Sequence, residues 1–88
     1  MVSYKILWKK SAVKELKRIT PNIIPKIILA VESLSKNPYP AGVRKLHGSN
    51  YTYRIRIGEY RAIYTIFQNR LVIEIIRVGH RKDAYKKT

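Results

Sequence analysis

Arginines set the chemistry available to this sequence. Arg54, Arg56 and Arg61 fall within eight residues, in the stretch Tyr53-Arg54-Ile55-Arg56-Ile57-Gly58-Glu59-Tyr60-Arg61, and His80, Arg81 and Tyr85 follow further on. A guanidinium is permanently charged, planar and rich in donors. Several of them brought together grip phosphate oxygens in forked hydrogen bonds.

Whether they come together depends on the strands that carry them. Tyr53, Ile55 and Ile57 alternate with Arg54 and Arg56, and Tyr60, Ala62, Tyr64 and Ile66 alternate with Arg61, Ile63 and Thr65. Both runs read as half-buried strands. With Gly58-Glu59 as a two-residue hairpin turn, Ile57 pairs with Tyr60, Arg56 with Arg61, and Arg54 with Ile63. All three arginines then share the polar face. Like charges directly opposite one another cost a few tenths to ~1 kcal/mol. A sequence shaped for stability alone would avoid that pair, and an anion between the two would relieve it. Leu71 to Val78 reads as a third strand. With Leu71, Ile73 and Ile75 facing inward, Val72, Glu74, Ile76 and Val78 share the face of Arg61. The strand then delivers Gly79-His80-Arg81 beside the Arg56–Arg61 pair, with Tyr85 within reach. Glu74 falls nearer Thr65 than the arginines and reads as structural.

The earlier part of the chain must cover the apolar side of this sheet. Tyr4, Ile6 and Trp8 alternate as a short strand. Ser11 is placed to cap a helix running to about Arg18, with Ala12, Leu16 and Ile19 in one stripe. Thr20-Pro21 reads as a second helix start. Ile23, Ile24, Ile27, Ile28, Val31 and Leu34 then recur at helical spacing. Pro38 and Pro40 stop that helix, and residues 37–50 read as a loop. The order predicts one α+β domain over residues 1–88: an N-terminal strand, a helical hairpin, then a three-strand antiparallel meander. The sheet is mostly antiparallel, with the helices on one face.

Composition narrows the partner. The chain has 88 residues, 19 Lys+Arg against 5 Asp+Glu, and a formal charge of +14. The excess runs through both halves of the sequence, so the folded body itself is basic and suited to a polyanion, RNA above all. No stretch is both long enough and basic on one face to favour a membrane surface. There is no cysteine, which excludes a disulfide framework. His47 and His80 stand too far apart in sequence to suggest a metal site, and no cofactor is expected. Nothing points to secretion, so a cytoplasmic protein is expected.

Three segments together carry a resemblance: Lys45-Leu46-His47-Gly48, the arginine stretch from Tyr53 through Tyr64, and Val78-Gly79-His80-Arg81-Lys82-Asp83-Ala84-Tyr85. In this order behind a helical hairpin, they resemble the RelE/ParE superfamily of toxins from type II toxin–antitoxin pairs, and within it the RelE-like mRNA interferases. The resemblance implies a ribosome-dependent endoribonuclease that cuts mRNA in the decoding site by attack of the 2′-hydroxyl on the neighbouring phosphate. It assigns Arg54, Arg56, Arg61, Arg81 and Tyr85 to the catalytic cluster, with His80 where some members carry lysine. Arg61 and Arg56 would neutralise the phosphate, and Arg81 the leaving 5′-oxygen. Arginine keeps its proton, so Tyr85 or His80 would move it. Lys45, Arg54, Arg56, Lys82 and Lys86 are the expected RNA contacts. An acidic cognate antitoxin is the implied protein partner, with a free toxin that is monomeric. A ParE-like inhibitor of DNA gyrase and a non-catalytic RNA-binding protein are the alternatives.

Overall fold

The computed structural model describes residues 3–82. The elements are β1 (Lys5–Trp8), α1 (Lys10–Lys17), α2 (Ile24–Ser33), β2 (Arg44–Lys45), β3 (Thr52–Ile57), β4 (Tyr60–Phe67) and β5 (Val72–His80). The strands form one five-stranded sheet in the order β1-β5-β4-β3-β2. Only β1 and β5 run parallel. This is the expected α+β architecture. Among the described residues no helix is long and apolar enough to cross a membrane.

The core lies between the helices and one face of the sheet. Ala12, Leu16, Ile27, Val31 and Leu34 from the helical region meet Ile55, Ala62, Tyr64, Ile66, Ile73 and Ile75 from the strands, all buried. Tyr4, Ile6 and Trp8 pack against the same cluster, as their alternation predicts. Tyr64 is fully buried at the centre of the sheet. Its hydroxyl donates to the Pro38 carbonyl at 2.7 Å, its ring stacks on Tyr53, and Tyr53 meets Tyr39 edge-on. This tyrosine chain ties the loop after α2 to the sheet.

The helix starts differ from expectation. Lys9 precedes α1, with no side-chain cap, and Ser11 lies inside the helix. α2 begins at Ile24, with Pro25 in its first turn. A helix started at Pro21 would press the Pro25 ring on the Pro21 carbonyl and lose that hydrogen bond. Residues 20–23 instead make a turn, in which the Ile23 N–H donates to the Thr20 carbonyl at 2.9 Å. The stretch read as one long loop contains β2, whose two residues pair with β3.

β5 carries the largest departure. The β4–β5 register shifts between Ile63, which faces Arg77, and Tyr64, which faces Ile75, leaving Ile76 as an extra residue. One extra residue reverses every later side chain. Val78 therefore lies in the core rather than beside Arg61. The shift coincides with a change of partner on the other edge of β5. β1 pairs only as far as Trp8 with Ile75, and α1 then takes over. The Glu15 carboxylate accepts from the Val78 N–H at 2.9 Å and from Arg77 at 3.3 Å. A helix-borne carboxylate thus satisfies strand groups that β1 no longer reaches. Leu71 also departs: it is 41% exposed in the turn before β5, at a positive φ of 53°.

Candidate nucleic-acid interface

The β3–β4 turn determines the site. Gly58 has φ +61° and Glu59 does not have positive φ, the pattern of a tight turn with glycine first. The turn fixes the register predicted from alternation: Ile57 opposite Tyr60, Arg56 opposite Arg61, Arg54 opposite Ile63. A fourth arginine joins through β2, where Arg44 stands opposite Arg54. Directly opposed residues of antiparallel strands project to the same side. Two arginine–arginine pairs therefore lie side by side on the face turned away from the helices.

These four arginines line an open concavity of about 480 Å³, bordered by Gly42 and Gly58. Arg61 forms its floor at 8% exposure, on the central strand β4. One of its terminal nitrogens donates to the Tyr60 carbonyl at 3.3 Å. The Arg56 Nε donates to the Gly58 carbonyl at 3.3 Å, which draws that side chain toward the turn. Such a cup of guanidinium donors can bind and neutralise phosphate oxygens.

The remaining candidates are distributed around this cup. The Arg81 N–H donates to the Glu59 carbonyl at 2.8 Å, and its Nε pairs with the Glu59 carboxylate at 3.4 Å. Arg81 thus stands at the turn beside the cup, outside its lining. His80 pairs with Tyr60 and meets its ring edge-on at 5.6 Å. Both border a different cavity, of about 320 Å³, with Glu15, Arg18 and Val78 on the helix side. The bulge at Ile76 thus separates His80 from the arginines, contrary to the expected cluster. Lys45 stands opposite Tyr53, on the helix side of the sheet edge, so its neighbour Arg44 takes the place on the arginine face. Lys82 and His47 are exposed, and the Lys82 N–H donates to His80 Nδ1 at 3.3 Å. Glu74 faces Thr65, as the register predicted. Tyr85 and Lys86 lie outside the described residues.

On the helix side of the sheet, burial perturbs two tyrosines. Burial raises the pKa of Tyr64 well above the ordinary tyrosine value, with Tyr39 and Tyr53 adding to it. Burial and then Tyr39 raise that of Tyr53 as well. These tyrosines hold their protons and serve as core.

Fold and site together define a small basic α+β domain with an arginine-lined cup on the open face of its sheet. The family profile described as "ParE toxin of type II toxin-antitoxin system, parDE" matches residues 6–85. The chain is 34% identical to Toxin RelE3 of Methanocaldococcus jannaschii over 85 residues, covering 92% of this chain and 94% of that one. It is 31% identical to Toxin RelG of Mycobacterium tuberculosis over 88 residues, covering 96% and 98%. The crystal structure of the toxin–antitoxin complex RelBE2 from M. tuberculosis contains a chain that superposes with a TM-score of 0.82 at 28% identity, covering 92% of this chain and 94% of that one. The chain belongs to the RelE/ParE superfamily of type II toxin–antitoxin toxins, on its RelE side.

Proposed function

We propose that this toxin is a ribosome-dependent endoribonuclease that cleaves mRNA in the decoding site and so stops translation. The observation that carries the reading is the arginine cup: Arg54, Arg56 and Arg61 on one face, around one concavity. In the proposed reaction the 2′-oxygen attacks the adjacent phosphorus and the bond from phosphorus to the 5′-oxygen breaks. The products are a 2′,3′-cyclic phosphate and a 5′-hydroxyl, with one proton leaving the 2′-oxygen and one arriving at the 5′-oxygen. Arg61 and Arg56 offset the charge on the non-bridging oxygens. Arg81, beside the turn, is the arginine assigned to the leaving oxygen. The separation of His80 from the cup favours Tyr85 as the proton carrier.

The protein partner that fits is an acidic antitoxin. The charge of +14 favours rapid, salt-sensitive association with an acidic segment, and the relative in the RelBE2 structure is a toxin–antitoxin complex. The site of action is the cytoplasm, where translating ribosomes are.

The family profile carries the ParE name, which favours a second reading, inhibition of DNA gyrase. One experiment separates the two. Purified toxin is incubated with translating ribosomes, mRNA ends are mapped, and gyrase supercoiling is assayed in parallel. The expected outcome is new 3′ ends within decoding-site codons, normal supercoiling, and a loss of cleavage of about 100-fold or more in Arg61→Ala. Inhibited supercoiling with intact mRNA would overturn the nuclease reading.

A further inference from the structure

We propose that Arg44 and Arg54 form a second phosphate subsite, which holds the RNA phosphate next to the one held by Arg56 and Arg61. The inference rests on the RNA reading of the cup and deepens it, from one phosphate to two successive ones.

The register supplies the argument. Arg44 faces Arg54 across β2–β3, and Arg56 faces Arg61 across β3–β4. The two pairs are offset by two residues along β3, about 7 Å, and by one inter-strand spacing, about 4.8 Å, so their centres lie about 8 Å apart. That is the scale on which an extended nucleic-acid strand presents successive phosphates. The two pairs line the same concavity, and guanidinium groups suit the oxygens of a phosphate.

Nothing in the sheet requires arginine at position 44. Arg44 is exposed, on a two-residue edge strand, where like-charge pairing with Arg54 opposes strand addition. Pairing with β3 sets its location. The Tyr64–Pro38 hydrogen bond anchors the loop before it, and Gly42, at φ +84°, turns the chain into β2. A Cβ is disfavoured at that φ, which keeps the side-chain-free glycine at this edge of the cup.

An acidic antitoxin peptide could also meet arginines. Two arginine pairs set one step apart favour a phosphodiester chain, whose charges repeat at a fixed interval.

The test uses full-length toxin and 2′-O-methyl RNA, which cannot be cleaved. Binding of a dinucleotide with one phosphate and a trinucleotide with two is measured by calorimetry across a salt series. Wild-type toxin should prefer the trinucleotide by about fivefold or more. In Arg44→Gln that preference should fall to near unity, and the trinucleotide salt slope should drop by about 0.7, the share of one single-strand phosphate contact. Arg44→Lys should recover part of the preference, because it keeps the charge and loses the fork. Lys26→Gln, on the exposed side of α2, removes the same charge and should leave the preference intact. An unchanged preference in Arg44→Gln would overturn the subsite, as would weakening confined to an acidic antitoxin peptide. Loss of the subsite with cleavage intact, or the reverse, separates this inference from the nuclease reading.

Discussion

The two faces of β3 and β4 share one backbone and have opposite tasks. On the helix side, Ile55, Ala62, Tyr64 and Ile66 are buried in a continuous core, and the only polar group of Tyr64 is satisfied by the Pro38 carbonyl. On the other side, the same strands hold Arg54, Arg56 and Arg61 around an open cup, with like charges set opposite each other. One face gains free energy by removing apolar surface from water. The other carries a repulsion that a bound polyanion would relieve. Stability and function are therefore separable by face, and substitutions should sort accordingly.

The largest expected effect on stability is on the core face. Ile73→Ala empties a fully buried position and should destabilise the fold by about 2–5 kcal/mol in chemical denaturation. An effect below about 1 kcal/mol would show that this core is loose enough to collapse around the loss.

Tyr64→Phe should act more weakly and with a pH signature. It removes one buried hydrogen bond and leaves the Pro38 carbonyl without that donor, at about 1 kcal/mol. Because burial raises the Tyr64 pKa, the folded state binds the phenolic proton more tightly than the unfolded chain does. The resulting stability is fully present below about pH 10, the ordinary tyrosine value, and is lost as pH rises above it. Denaturation midpoints across pH 8 to 11 (about the accessible alkaline range) should show the wild-type advantage shrinking at the alkaline end. A constant advantage would contradict the burial of that hydroxyl.

The arginine face was legible in the sequence because two local rules fixed it. A two-residue turn at Gly58-Glu59 sets the pairing, and the period of two carries it to Arg54. Neither rule reaches the rest of the site. Arg44 lies on a strand of two residues, too short for any periodicity, and it is placed by pairing with β3, which is a tertiary contact. The bulge at Ile76 leaves no local mark either. Ile75-Ile76 is an unremarkable apolar pair, and the register changes where Glu15 from α1 replaces β1 along the edge of β5. That single change moved Val78 into the core and His80 to the helix side. The start of α2 at Ile24 follows from Pro25, which restricts the helix more strongly than Thr20-Pro21 promotes it.

The central claim is that the arginine face serves a ligand rather than the fold, and Arg56→Ala tests it most directly. Arg56 is exposed and stands opposite Arg61, so its removal deletes a like-charge pair. Thermal melting and ribosome-dependent mRNA cleavage should be measured on the same preparation. The predicted result is a melting temperature unchanged or higher, corresponding to at most about 1 kcal/mol of added stability, together with cleavage reduced about tenfold or more. A lower melting temperature with cleavage intact would contradict the account.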